Sequence, residues 1–384
     1  MKQLFATLLL LLMTTPCLMA QKKELSQARS SIKSGKYADA EKVLTNLLKD
    51  SINRTNKKIW LAYYDAVLGQ YEQGNEKLYL KQQYDTAAFF SKALQLLTIA
   101  ESIDSLTTDN RKSHSQQLNT LRPNIFNGGS FLLRKNKWTE AYPYYEAYLD
   151  CARQPLFQAF HYDSLDTRMP EAAYWATYCG YKQKNAVLTL RYSKQALCDT
   201  AKADFTLQFI AEARKWLNDD ELYVKTLEEG FRRYPQFHYF FPRLMDAYTG
   251  MGDNEKALAL ADNALAVNPN SELFLFAKST TLLRMERYAE SIKYSERLIE
   301  VNPNLAEPYF NAGTAYFNIA VRLDDRQEKK LVKQAYLKAC PYMEHYRKLM
   351  PKEKEKWAPV LYRIYLNLNM GKQFDEIDRL LKEK

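Results

Sequence analysis

The stretch "AVNPNSELFLF" occupies residues 266–276, and "EVNPNLAEPYF" occupies residues 300–310. Pro269 and Pro303 stand 34 residues apart, and the same step backwards reaches Pro235 in "RRYPQF". A helix stops at such a proline, because the ring removes a backbone donor and restricts the residue before it. Between two of these stops, over 238–271, apolar side chains fall at Phe241, Leu244, Met245 and Tyr248. They fall again at Ala257, Leu260, Ala261, Ala264 and Leu265. Intervals of three and four mark one face of a helix. Gly252-Asp253 interrupts the period, which then restarts, so the unit reads as two helices joined by a tight turn. The alanines let the two backbones approach closely.

This unit resembles the tetratricopeptide repeat, a 34-residue helix–turn–helix with the pattern W-x2-L-G-x2-Y…A-x3-F…P. Phe241, Leu244, Tyr248, Ala257 and Pro269 stand at motif places, while Met245 and Ala261 depart from it. Unit 272–305 keeps Tyr288 and Pro303 and sets Ser291 at the small-residue place. Unit 306–339 opens with Tyr309, Ala312-Gly313 and Tyr316. The next terminating proline, Pro351, lies 48 residues after Pro303, which puts 14 extra residues near 321–332. They read as a lengthened first helix or an inter-helix loop. Rougher copies cover 204–237, 170–203 and 122–155. "KSGKYADAEKVLTNLL" (33–48) and "YDTAAFFSKALQLL" (84–97) read as second helices, and the polar segment 102–121 as partly a loop. The resemblance implies an all-α fold, an α-solenoid of stacked hairpins forming a right-handed superhelix. It divides as residues 1–20, irregular hairpins over 21–121, repeats over 122–203, regular repeats over 204–351, and a capping hairpin over 352–384.

Composition agrees with helices. The 384 residues are 46% hydrophobic and 26% charged, with only 11 Gly and 13 Pro. Residues 1–20 carry Lys2, an apolar run over 4–13 and a small residue at Ala20, the pattern of a signal peptide cut after Ala20. The expected location is the periplasm or cell envelope of a Gram-negative bacterium. Pro16 and a missing Leu argue against a lipid anchor on Cys17. The formal net charge of +10 is spread among interleaved acids and bases, without the basic run of a nucleic-acid tract. Cys151, Cys179, Cys198 and Cys340 read as small buried residues, with a Cys179–Cys198 bridge left open.

Function is written more faintly. The resemblance implies a concave side lined by first helices, suited to a segment of a partner protein. Helical phase sets Tyr174, Tyr178 and Tyr181 on that side, off the face of Ala173, Ala176 and Thr177; alternatively they pack on the next unit. The same phase selects Trp216, Phe276, Arg284, Phe310 and Phe317. Arg284 among aromatics would take a carboxylate, or simply be solvated at a helix end. The Lys and Asn set with which some family members grip a carboxylate is absent. The four histidines are scattered, and no catalytic or metal-binding motif appears. His161 near Asp163 and Asp166 could be a metal or acid–base site, but reads as a solvated turn. The expectation is an exported scaffold that is non-catalytic, needs no cofactor or metal, and binds a protein or peptide. The alternative is a small-ligand or glycan-binding envelope protein, since Tyr is abundant at 28.

Overall fold

The computed structural model describes residues 21–323 and 327–382. The signal-peptide reading, Cys17 and part of the expected insertion lie outside these residues. Among the described residues there is no strand. The helices group into two compact units, one ending at Tyr223 and the other beginning at Val224.

In the first unit α1 covers 21–33, followed by α2 (Tyr37–Leu47), α3 (Lys57–Tyr79), α4 (Thr86–Leu106), α5 (Arg111–Leu133) and α6 (Trp138–Asp150). Next come α7 (Tyr162–Leu165), α8 (Met169–Lys182), α9 (Ala186–Arg191), α10 (Ser193–Ala196) and α11 (Ala203–Trp216). Helix α12 (Asp220–Arg233) spans the division. The second unit holds α13 (Phe240–Gly250), α14 (Asn254–Val267), α15 (Glu272–Arg284), α16 (Tyr288–Val301), α17 (Glu307–Arg322), α18 (Lys329–Leu349), α19 (Lys354–Asn367) and α20 (Gly371–Lys382). Within each unit successive long helices pack on one another, as α2 does on α3, α5 on α6, α15 on α16 and α17 on α18. First helices also touch first helices, as α8 does α11, and α15 and α19 do α17. That is the stacking expected of hairpins that shelter one another's apolar faces.

One turn design recurs. Gly35, Lys81, Asn136, Lys184, Asn218, Gly252, Glu286 and Asn369 all adopt positive φ, from 52° to 74°. In each case the next residue donates its N–H to the carbonyl five positions back, at 2.8–3.0 Å, as Asp253 does to Tyr248 and Arg287 to Leu282. This left-handed cap satisfies carbonyls that the helix end would leave bare. Only Gly35 and Gly252 are residues for which the conformation carries no steric cost. Lys184→Gly is therefore expected to raise unfolding stability by about 1 kcal/mol, and Gly252→Ala to lower it by about the same. Denaturant titration of the two variants checks both signs.

Three places depart from the expected phase. The extra residues after Val321 go mainly into the second helix: α18 has 21 residues against 14 in α16, while α17 has 16 against 13 in α15. The segment 102–121 is mostly helix, interrupted only over 107–110. Between α6 and α8 the chain makes two 3-10 turns, Cys151–Arg153 and Pro155–Phe160, before the short α7.

Apolar contact is not the only glue in the second unit. Asn311, buried on α17, donates its Nδ2 to Ser279 Oγ and to Thr280 Oγ1, both at 3.0 Å. Ser291 Oγ donates to the Ser279 carbonyl at 2.8 Å. Ser291, at the motif's small-residue place, thus leaves room for α15 and also bonds to it.

Candidate functional site

The first-helix tyrosines gather as an aromatic row in the first unit. Tyr174 is buried at 7% exposure, and Tyr178 and Tyr181 are half-buried. Phe209 of α11 joins them: its ring centroid lies 6.0 Å from Tyr174, 5.7 Å from Tyr178 and 4.5 Å from Tyr181. Trp216 extends the row, stacked 5.9 Å from Tyr181. Much of this tyrosine surface is therefore spent on the neighbouring hairpin.

Tyr178 also borders a cleft of about 440 Å³ lined by Ser130, Leu133, Arg134, Asn136, Trp138, Glu171, Trp175 and Tyr178. Helix α5 ends in it, the left-handed turn at Asn136 reverses the chain, and Trp138 enters as the first residue of α6. Helix α8 supplies the opposite wall. Trp138 and Trp175 meet Tyr178 edge-on at 5.6 and 5.8 Å. Lys182 Nζ stands 5.3 Å from the Trp138 centroid and 5.9 Å from that of Tyr178, a cation–π placement that keeps positive charge at the rim. Glu171 accepts from Trp175 Nε1 at 3.3 Å, fixing the indole. The Arg134 guanidinium is exposed and makes no ion pair among the described residues. Burial pushes the Tyr178 hydroxyl above its ordinary pKa. A wider depression of about 600 Å³ on α2 has no aromatic lining.

The remaining candidates lie in the second unit. Phe276 is half-buried on α15, and Arg284 donates to Thr249 Oγ1 at 3.0 Å. Phe310 packs on Tyr346 at 5.0 Å; Phe317 packs on Tyr336 at 6.0 Å and lies 5.7 Å from the Arg363 guanidinium. Trp138, Trp175, Arg134 and Glu171 escaped the sequence reading. The signal that could have found the first two was the Trp at the start of a second helix, facing a Trp one residue off the tyrosine stripe.

Asp166 has a different task from the chemistry its neighbourhood offered. It accepts from the Arg122 guanidinium and from the Tyr148 hydroxyl, the latter at 2.7 Å. Arg122, 6% exposed, lies between the rings of Tyr148 and Tyr162, at 3.6 and 3.8 Å, and also donates to the Tyr148 carbonyl at 3.0 Å. Burial by itself would raise the Asp166 carboxyl, but the Tyr148 and Arg122 hydrogen bonds outweigh it and hold the pKa below its ordinary value. The ion pair ties α5 and α6 to the connection entering α8. No group of three His, Cys, Asp or Glu that could hold a metal occurs among the described residues. Cys151, Cys179 and Cys340 are buried and Cys198 is exposed; all four are free, so no Cys179–Cys198 bridge is present. Burial pushes the three buried thiols up to about 12, which makes them poor nucleophiles. No described helix is long and apolar enough to cross a membrane.

No family model matches the sequence. Among solved structures, the chain is similar to the C-terminal part of a TPR repeat-containing protein from Cytophaga hutchinsonii. Identity is 13% over 66% of this chain and 92% of that one, with a TM-score of 0.44. The apo form of RapI aligns at 14% identity over 95% and 99%, with a TM-score of 0.36. YrrB, described as a TPR protein with an unusual peptide-binding site, aligns at 15% over 64% and 95%, with a TM-score of 0.29. The chain's own antiparallel hairpins, its prolines 34 residues apart and its first-helix stacking give it the tetratricopeptide-repeat fold.

Proposed function

We propose that the chain is a non-catalytic scaffold that holds a segment of a partner protein against the α5–α8 cleft. The supporting observation is the convergence of Trp138, Trp175 and Tyr178 on one opening, with Arg134 and Lys182 at its edge. Aromatic side chains that are rigid and partly wet are what interface hot spots are made of. The basic edge favours a segment carrying an acidic residue beside an apolar one. The leader-like residues 1–20 support a place in the cell envelope.

Selection of displayed peptides against the full chain tests this reading. Enriched peptides should lose at least ten-fold in affinity on Trp175→Ala, since truncating a hot-spot aromatic costs upwards of about 1.4 kcal/mol. No enrichment, or peptides indifferent to that substitution, would reject it. A second reading is favoured by one feature: the aromatics cluster with Asn136 and Glu171 in a single cleft, as a sugar-stacking platform would. A reproducible rise in melting temperature with one glycan, abolished by Trp138→Ala, would select it instead.

A further inference from the structure

The lengthened start of α18 carries a surface unlike the other second helices of its unit. From Lys329 to Met343 there is no acidic residue, and Lys329, Lys330, Lys333 and Lys338 fall within ten positions. At 100° per residue, Val332, Ala335 and Tyr336 share the arc that is buried in the core; Lys330, Lys333 and Lys338 fall outside it and Lys329 stands at its border, all four lysines being exposed. None of these lysines has an ion pair among the described residues; Lys338 Nζ lies 5.5 Å from the Tyr316 centroid. Two leucines stand among them in the open, Leu331 at 50% and Leu337 at 53% exposure. Nearby acids are already engaged: Glu286 pairs with Arg322, and Glu296 accepts from Tyr342 at 2.8 Å. By contrast, exposed positions of α16 carry both signs and are mainly acidic, with Glu290, Lys293, Glu296 and Glu300.

A helix face that is cationic, without acids, and studded with exposed leucines has two properties together. Its charge attracts an anionic surface, and its apolar tips reward contact with one that has an apolar layer beneath the charge. An acidic protein strand would satisfy the lysines but leave Leu337, in the middle of the exposed arc, against water or polar backbone. An anionic bilayer satisfies both. We propose that the first three turns of α18 form a docking face for an anionic lipid bilayer, with the lysines at the headgroups and Leu331 and Leu337 reaching the acyl boundary.

Co-sedimentation of the full chain with vesicles tests this, using phosphatidylglycerol mixed with phosphatidylcholine against phosphatidylcholine alone. Comparing variants of one chain cancels whatever residues 1–20 contribute. The expected result is preference for the anionic vesicles, weakening with salt. Replacing the four lysines by glutamine should reduce the partition coefficient at least a hundred-fold, from a factor of about five per lysine. Leu337→Asp should reduce it while leaving the lysines intact. These positions are exposed on a helix and glutamine is a good helix former, so the fold should survive, as far-ultraviolet circular dichroism would show. Equal binding by parent and four-glutamine chains overturns the proposal. So does loss of retention on polyglutamate resin by the four-glutamine chain with no change on vesicles, which would assign the face to an acidic protein.

Discussion

Asp166→Asn is expected to destabilise the first unit by about 3 kcal/mol, read as a lower denaturation midpoint. The asparagine keeps the shape and loses the charge. Arg122 is then left buried between two tyrosine rings with no counter-ion, and an uncompensated buried guanidinium is among the most expensive groups a fold can carry. The double replacement Arg122→Met with Asp166→Asn should recover much of the loss, because an apolar side chain of similar length needs no partner there. If the double variant is no better than the single one, the cost lies in shape rather than charge. Acid behaviour gives a second readout. The folded Asp166 pKa is held below its ordinary value, so the pair's contribution is complete above the unfolded carboxylate range, about pH 4. It is lost as pH falls through the folded value. The parent chain should therefore lose more stability below about pH 4 than the asparagine variant does.

Gly180→Ala is expected to cost roughly 3 kcal/mol, at the upper end of ordinary overpacking. A Cβ at Gly180 would stand 2.4 Å from the Thr189 backbone nitrogen and 2.7 Å from the Leu188 carbonyl carbon. Backbone cannot swing aside as a side-chain tip can, so α8 and α9 must separate. The separation would shift Tyr178 and Tyr181, which ride on α8, against Phe209 of α11. Near-ultraviolet circular dichroism of the aromatic row should change along with the melting temperature. A variant with parental stability would show that α9, already interrupted before α10, shifts freely.

What could be read from the residues divides along physical lines. Proline stops and periods of three and four are local, so α13 to α16 fall where the VNPN repeats put them. Gly35 and Gly252 announced their turns, because glycine is at ease at positive φ. Lys81, Lys184 and Glu286 announced nothing: there the turn imposes the conformation on a residue that resists it. The last hairpin turns at Asn369, with Gly371 opening α20. The site was harder. Tyr174, Tyr178 and Tyr181 share a phase and do gather, but phase is silent about the next hairpin, which supplies Phe209. It is equally silent about Trp138, delivered from a second helix by the turn at Asn136. Arg122 gave no sign at all, because its partners Tyr148, Tyr162 and Asp166 are distant in sequence and meet only through the irregular connection before α8.

The hydrogen bonds from Asn311 have a consequence for how the chain assembles. Neighbouring hairpins that are near copies can be mistaken for one another while the protein is forming, and a hairpin that skips a neighbour finds an almost equally greasy seat. Shifted by one interval of 34, Asn311 would face Met245 and Asp246 where Ser279 and Thr280 should be. Its amide would then exchange two hydroxyl acceptors for a thioether and a carboxylate, losing the paired arrangement that the correct neighbour offers. Three small polar side chains thus act as an address, telling otherwise interchangeable modules the order in which to queue.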